Sequence, residues 1–416
     1  MSDLKKKLDA LRKAQGLTTG AELLKQGVSP KPADTAAKSA ANIEAPAPPR
    51  PNDAVQGDDL SSRLRRLGVE RGRVREAAPE PTQPAPLPQS AHDINVVLPG
   101  FETGGGESPC WLVQRDYPLE CRQGHIALGD VFEIGAKDIA FSAADPELKD
   151  FNPEKAVFID TETTGLMGGA GTVPFLIGAG FFTEGMFRLE QYFIRDFDEE
   201  EAMLSALADR FAAAEAVVSY NGKSFDMPLL RTRFVQHRIP FRAEGRPHLD
   251  LVHASRRFWK RRLSDCSLGN IEREILGVFR EGDVPSHLIP QMWFDYVRGR
   301  DARPLEGVFY HHEMDILSLV TLTAWLGQCL AAPDGRGFEH AEDQLSLIRL
   351  HFRQKQYDKV IALGAAFATE TESTTFRREC LEMLGMAYKR RARFEEMAEA
   401  WEALLEVAPG DPVATM

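Results

Sequence analysis

Apolar residues follow different patterns along the 416-residue chain, and each pattern predicts a different kind of structure. Between residues 151 and 330, short apolar runs bounded by turn residues alternate with stretches of helical spacing, which is typical of an α/β layer. Beyond residue 340 only helical spacing occurs. The patterns therefore predict a mixed α/β domain at residues 151–332, followed by an all-helical region at residues 340–416.

Three strands, one helix and a fourth strand open the predicted α/β domain, and further helices complete it. Asp198 lies three residues before Glu201, so we expect a capping box at the start of the first helix. The strands are placed at residues 156–162, 174–182, 186–194 and 216–220, and the helices at about 198–214, 225–237, 248–261, 267–276 and 308–330.

The chain before residue 151 divides into two parts. Residues 1–95 are rich in proline, alanine and charge, which predicts a disordered arm. Within this arm, residues 4–15 and 60–75 have helical spacing and a positive bias, as in a transient helix or one that folds on a partner. Residues 96–150 alternate short apolar runs with glycine turns, so we predict a small β-rich lead-in.

The C-terminal region contains four segments with an apolar and alanine pattern. They predict helices that pair as hairpins and resemble tetratricopeptide units of about 34 residues, with fewer than three complete repeats. We expect this region to recruit a protein partner. The segments are Leu345 to Phe352, Val360 to Phe367, Cys380 to Tyr388 and Phe394 to Leu405.

Composition limits the classes of function. The formal charge of -12 argues against a broad basic surface, so any nucleic-acid site must be local. The five cysteines form no Cys-x-x-Cys pair, which indicates neither a zinc cluster nor a redox pair. No run of about 18 apolar residues and no secretory signal occurs. We therefore expect a cytoplasmic protein without a membrane span.

Two carboxylates follow directly on the first predicted strand. Asp160 and Glu162 lie two residues apart, and because strand side chains alternate in direction, both project from one face. A divalent cation with oxygen ligands, such as Mg²⁺, would relieve their repulsion. A strand that simply ends in a polar turn explains the same residues without a metal.

Another candidate carboxylate, Asp226, lies at the start of a predicted helix, after an apolar strand. Aspartate in this position is also a common helix cap, stabilised by the helix dipole. Asn221, five residues earlier, orients the backbone or a substrate, or forms a turn with Gly222.

The last candidates open the long helix predicted at residues 308–330. His311 and Asp315 lie four residues apart and so on one helix face, whereas Tyr310 is turned about 140° from Asp315. We therefore favour His311 as the group that accepts a proton from water, and Asp315 as a metal ligand. A histidine that is solvated or lies at the edge of the core is the alternative.

Taken in order, the motifs Asp-x-Glu-Thr, Asn-x-x-x-Phe-Asp and His-x-x-x-Asp resemble those of the DnaQ-like four-acid 3′-to-5′ exonucleases. The likeness covers roughly residues 96–330 and is greatest to the bacterial YprB-type predicted exonucleases, judged from residues 158–165, 168–175, 221–228 and 248–251. It implies a ribonuclease H-like fold, two Mg²⁺ or Mn²⁺ ions and metal ligands at Asp160, Glu162, Asp226 and Asp315.

One departure from the family concerns the general base. The well-studied four-acid enzymes carry either tyrosine four residues, or histidine five residues, before the last aspartate. Here Tyr310 lies five residues and His311 four residues before Asp315. The sequence leaves the choice between these two side chains open.

The expected mechanism is phosphodiester hydrolysis with two metals about 3.5 to 4 Å apart, bridged by Asp160, and with His311 acting on the attacking water. The alternative is an adaptor that keeps the ribonuclease H-like shape and binds nucleic acid, with little or no activity. Nucleotidyl transfer or endonuclease cleavage would use the same metals.

Contacts with a single-stranded DNA or RNA end are predicted at several positions. The basic run from Arg256 to Arg262 offers phosphate contacts and aromatic faces for stacking, although a helix with a buried aromatic side and a solvated basic side fits equally. The predicted nucleic-acid-binding residues are Thr163, Asn221, Lys223, Arg256, Arg257, Trp259, Lys260 and Arg261.

Overall fold

Seven strands form one mixed sheet at the centre of the fold, and a separate hairpin consists of the two short strands β3 and β4. In chain order the strands are β1 (Phe101–Thr103), β2 (Cys110–Pro118), β3 (Arg122–Gln123), β4 (Ile126–Ala127), β5 (Ala156–Thr163), β6 (Pro174–Thr183), β7 (Met186–Phe193), β8 (Ala216–Ser219) and β9 (His248–Asp250). The order in the sheet is β1-β2-β7-β6-β5-β8-β9, and β5 pairs antiparallel with β6 and parallel with β8. The predicted mixed sheet flanked by helices is confirmed.

The helices α1 to α12 flank the sheet and form the C-terminal region. They are α1 (Ile94–Val97), α2 (Ala136–Ala143), α3 (Glu200–Ala213), α4 (Asp226–Gln236), α5 (Leu251–Trp259), α6 (Leu268–Ile271), α7 (Ile289–Gly299), α8 (Leu305–Ala331), α9 (Ala341–Arg353), α10 (Tyr357–Glu370), α11 (Thr374–Arg390) and α12 (Phe394–Val407). A π-helical turn, Glu272–Leu276, continues α6, and 3-10 turns cover Leu128–Glu133, Pro146–Asp150, Pro153–Lys155, Phe197–Glu199 and Ser286–Leu288.

This computed structural model describes residues 92–105, 107–165, 171–332, 335 and 337–409. The helical stretches predicted at residues 4–15 and 60–75, and most of the predicted arm, lie outside the described residues, as do residues 168–170 of the glycine-rich segment. The arm predicted up to residue 95 overlaps α1, whose Ile94 and Val97 pack against the core. The described residues therefore include the last four residues of the predicted arm.

The two faces of the sheet carry separate apolar cores because strand side chains alternate. In β5, Phe158 packs with α5 and most of α8 on one face, whereas Val157 and Ile159 pack with α3 and α4 on the other. Asp160 and Glu162 lie on the same face of β5 as Phe158. The central strand thus carries the two carboxylates towards the side of the sheet that α8 covers.

Several boundaries differ from the sequence prediction. The capping box of Asp198 and Glu201 does not form, because a 3-10 turn precedes α3 and the Asp198 carboxylate accepts a hydrogen bond from Ser108. Residues 248–250, predicted as helix, form β9. In the predicted β-rich lead-in, only residues 101–127 contribute strands, and β2 extends the central sheet through eight residue pairs with β7.

The long helix α8 runs through the core of the fold. By length and composition it is the one helix among the described residues that could cross a membrane, but 67% of its most apolar stretch is buried inside the protein. Burial of this kind is typical of the core helix of a globular domain.

The C-terminal helices α9 to α12 pack in sequence and share an apolar core that includes Leu345, Val360, Leu384 and Leu404. The predicted helical segments are all present in the structure. The assignment of these helices to tetratricopeptide units stays a prediction.

Candidate metal centre at the end of the central sheet

Four carboxylates come from three different elements: Asp160 and Glu162 from β5, Asp226 from the start of α4, and Asp315 from α8. The side chains of Asp160 and Glu162 retain only 19% and 15% of their surface exposed. Burial, followed by the negative charges of Asp315 and Asp226, raises the pKa of both well above the ordinary value. Negative charge is therefore concentrated in a poorly solvated place, which favours a bound cation.

Asp226 is tied to the central strand. It is 4% exposed, and the Thr161 hydroxyl, on the opposite side of β5 from Asp160, donates a hydrogen bond to its carboxylate. Burial raises the pKa of Asp226 to about 6, and the Thr161 hydrogen bond opposes this shift. The hydrogen bond fixes the carboxylate, a contact that the sequence did not suggest.

His311 faces Glu162 and Asp315 through its Nε2 atom, at 4.0 Å from Glu162 Oε1 and 3.5 Å from Asp315 Oδ2. Its other ring nitrogen, Nδ1, lies 2.8 Å from Asp283 Oδ1. When Nδ1 donates to Asp283, the lone pair of Nε2 points to the carboxylates. Asp283, in the loop between the π-helical turn and α7, thus orients the imidazole.

Arg280 brings a fixed positive charge to the same cluster. Its guanidinium forms ion pairs with Asp315 Oδ1, at 2.5 Å, and with the buried carboxylate of Glu272. Although burial alone would lower it, the pKa of Arg280 is raised because these two carboxylates surround the guanidinium. One oxygen of Asp315 is therefore held by arginine, and the other, Oδ2, faces His311.

The donor set fits a divalent cation. Ligand atoms of Glu162, His311 and Asp315 all lie within 4.8 Å of one another. The carboxylate oxygens suit Mn²⁺ or Mg²⁺, which keep water and phosphate oxygens as further ligands, and the imidazole nitrogen lies beside them. Asp160 and Asp226 lie close enough for their charges to act on this group.

His312, next to His311, is a structural residue. It is 0% exposed, and Gln191 Nε2 donates to its Nδ1 at 3.2 Å while its Nε2 donates to the Asp160 carbonyl at 3.1 Å. Burial lowers the pKa of His312 to about 4, so the ring stays neutral. It joins α8 to the strand that carries the acids.

Gly178 leaves the space that His312 occupies. A Cβ atom at this position would lie 2.6 Å from His312 Cε1, so we expect Gly178→Ala to lower the free energy of unfolding by about 1 to 3 kcal/mol. Urea denaturation measures this change. Gly269→Ala is the control, because nothing lies within 4 Å of a Cβ there. Equal stability of the two variants would contradict the packing argument.

The loop after β8 is held by Asp250. The Asp250 carboxylate accepts the backbone N–H groups of Asn221, at 2.7 Å, and Lys223, at 3.0 Å, and also caps α5. Asn221 adopts a left-handed conformation with φ of 66°, which supports a turn role for it. Asp250 thus shapes the loop that leads into Asp226.

The predicted nucleic-acid contacts fall into different environments. Trp259 is 2% exposed, so the prediction that its ring stacks on bases is wrong: α5 turns this side into the core. Thr163 is 6% exposed and its hydroxyl donates to the Gly165 carbonyl, so its contact with nucleic acid stays a prediction. Lys223 is exposed and pairs with Asp145 at 3.2 Å, and Arg256, Lys260 and Arg261 lie on the exposed side of α5 and just beyond it.

An open cavity of about 710 Å³ leads to the cluster. His311, Asp315, Arg280 and Glu272 lie in its wall, together with Phe279. Phe279 is 73% exposed, which is unusual for so large an apolar side chain. The cavity is wide enough for a nucleotide-sized ligand.

Comparison with known proteins shows the family of the chain. Residues 157–327 match the RNase H superfamily. The uncharacterized protein YprB of Bacillus subtilis (strain 168) is 30% identical over 302 residues, which cover 71% of each chain. The chain belongs to the YprB family. The YprB-type resemblance predicted from the motifs is thereby confirmed, and the superfamily match supports a nuclease-type domain of the kind that uses divalent metal ions.

Among solved structures, the family B DNA polymerase of the archaeon Pyrobaculum calidifontis is similar, with 15% sequence identity and a TM-score of 0.33. The likeness covers 58% of this chain and 29% of the polymerase chain.

Proposed function

We propose that this YprB-family protein is a metal-dependent 3′-to-5′ exonuclease that hydrolyses phosphodiester bonds at a single-stranded DNA or RNA end. The observation that carries the proposal is the convergence of Glu162, His311 and Asp315 within 4.8 Å, with His311 and Asp315 in the wall of an open cavity. A structural acidic cluster would not require a histidine whose Nε2 faces the carboxylates, beside the Ser286 hydroxyl at 3.3 Å, and whose other nitrogen is held by Asp283.

Different side chains would then carry out different parts of the reaction. Asp160, Glu162, Asp226 and Asp315 hold two divalent cations, which supply the Lewis acidity that offsets the charge building up on the phosphate. His311 Nε2 accepts a proton from the attacking water, while Asp283 keeps the ring in place and stabilises the imidazolium that forms. The water oxygen bonds to phosphorus as the bond to the leaving 3′-oxygen breaks.

Three further residues in the wall of the cavity support a role in substrate binding. Phe279 exposes a ring face on which the base of the terminal nucleotide can stack. Asn270 and Ser286 provide polar groups in the same wall. Such a wall binds one nucleotide at a time, which favours shortening from an end over internal cutting.

The second candidate function is a weakly active or inactive adaptor that binds nucleic acid and recruits a protein through the tetratricopeptide-like helices. The observation in its favour is the ion pair between Arg280 and Asp315, because this fixed charge already neutralises part of the acidic cluster.

The test is degradation of labelled DNA and RNA oligonucleotides with Mg²⁺ or Mn²⁺, and with EDTA as the metal-free control. We expect a substrate labelled at its 5′ end to shorten stepwise, and one labelled at its 3′ end to release labelled mononucleotide from the start. Internal fragments from both substrates would instead support an endonuclease. A protein that binds the oligonucleotides but cleaves none of them would support the adaptor.

A further inference from the structure

A second cleft of about 440 Å³ lies between the nuclease-type domain and the C-terminal helices. Its walls come from the end of α5, with the residues that follow it, and from the last turns of α9. Apart from Ser346 and Leu350, every residue in its wall is basic: Arg256, Arg257, Lys260, Arg261, Arg349 and Arg353. No acidic side chain lines it, although the protein as a whole carries a charge of -12.

The positive charge of the cleft is only partly neutralised. Glu379 pairs with Arg261, at 2.7 Å, and with Arg349. Arg257 donates to the carbonyl oxygen of Ser142, which carries no charge. In the described part of the chain, Arg256, Lys260 and Arg353 have no carboxylate within ion-pair distance. Three cations thus face the cleft without a partner.

The basic groups also act on one another. Burial and then the positive charge of Arg353 lower the pKa of Arg257, and burial followed by Arg261 and Arg353 lowers the pKa of Arg349. Like charges held together in this way cost stability unless an anion is bound between them. The cleft thus gathers six basic side chains, and this concentration of positive charge suits an anion.

Structural links connect the cleft with the acidic site. The Asp250 carboxylate holds the loop before Asp226 and caps α5, whose other end lines the cleft. The helix has nine residues and so spans about 13 Å. Asp145, which pairs with Lys223 of the same loop, also acts on Arg257. Asp145 thus links Lys223 of this loop to Arg257 of the cleft.

We propose that this basic cleft binds phosphates of the nucleic-acid strand whose end lies in the acidic site. The inference rests on the proposed nuclease function for the identity of the anion. Because Phe258 and Trp259 are buried, the cleft offers no ring for stacking and contacts the strand through its phosphates alone. It therefore binds independently of sequence and positions the strand for stepwise shortening.

The experiment measures binding of a fluorescein-labelled oligothymidylate by fluorescence anisotropy in EDTA, so that binding is separated from cleavage. Arg353→Glu and Arg256→Glu are each expected to weaken binding roughly ten-fold, and to reduce the slope of log Kd against log salt by about one or more. Arg353→Lys, which keeps the charge, should bind nearly as the wild type does. Arg242→Glu, an exposed site on the opposite face of the sheet, is the charge-matched control and should change little.

The outcomes separate this inference from the proposed function. Weakened binding by both reversals, with Arg242→Glu unaffected, supports the cleft even if the wild type cleaves no substrate. Unchanged binding in both reversals overturns it, even if the wild type is an active exonuclease. Displacement of the oligonucleotide by polyglutamate as readily as by unlabelled oligonucleotide also overturns it, since the cleft would then accept any acidic chain. Arg353→Gln removes the charge without reversing it. If it also weakens binding, the effect of Arg353→Glu is not due to loss of folding.

Discussion

Replacement of Asp160 by asparagine is expected to lower the exonuclease rate by about a thousand-fold or more, while the chain stays folded. The substitution keeps the size of the side chain and removes the charge that would hold the cations. The backbone carbonyl of Asp160, which accepts the His312 hydrogen bond, is retained. Initial rates on end-labelled substrate with saturating Mn²⁺ measure the loss.

The same variant makes a second prediction, on stability. Because burial and the neighbouring carboxylates raise the pKa of Asp160, its charge destabilises the metal-free protein at neutral pH. Asp160→Asn should therefore melt at the same temperature as the wild type or higher in EDTA, and its melting temperature should rise less when Mg²⁺ or Mn²⁺ is added. Glu281→Gln, which removes an exposed carboxylate outside the cluster, is the control for both readouts. A variant that cleaves at the wild-type rate would refute the assignment of Asp160.

The pH dependence of stability follows from the raised pKa values of these carboxyl groups. The pKa of Asp226 rises from 3.8 to about 6, so between these values the native state binds more protons than the unfolded state. The contribution of Asp226 to stability is therefore present below pH 3.8 and falls as the pH rises through about 6. A bound cation should reverse this trend, since it binds only the deprotonated carboxylates.

Much of strand β5 could be predicted because local pattern determines it. The apolar run before Asp160 fits only a buried strand, and alternation then places Asp160 and Glu162 on one face. By contrast, β9 has three residues and passes directly into α5, so no turn residue separated strand from helix in the sequence. Short strands of this kind form because the sheet supplies their hydrogen-bond partners, which a sequence pattern does not reveal.

The residues that the sequence did not identify are those whose partners lie far away along the chain. Arg280 meets Glu272 and Asp315 only because a π-helical turn and the loop after it return to α8. Asp283 reaches His311 across the same loop. No rule of sequence spacing would have identified Arg280 or Asp283 as part of the site. Likewise, the basic run fitted two arrangements of α5, one with its aromatic rings exposed for stacking and one with them buried. Packing against the core buries Trp259.

Replacement of His311 by alanine is expected to slow cleavage by about a hundred- to ten-thousand-fold, because the attacking water loses its proton acceptor. Tyr310→Phe should have little effect, since His311 Nε2 faces Glu162 and Asp315 and no contact of the Tyr310 hydroxyl with either appears among the described residues. Between the two side chains that the sequence left open, we therefore propose His311 as the proton acceptor.

A third variant distinguishes a proton acceptor from a metal ligand. Asp283→Asn keeps the hydrogen bond to His311 Nδ1 through the amide oxygen but removes the charge that stabilises the imidazolium, so its rate should lie between those of the wild type and His311→Ala. If His311 acts on water, both variants retain most of the rise in melting temperature that Mn²⁺ produces. If that rise disappears in His311→Ala, the imidazole binds the metal, and the proton must leave the water by another route. A faster reaction in His311→Ala than in Tyr310→Phe would instead assign the role to the tyrosine.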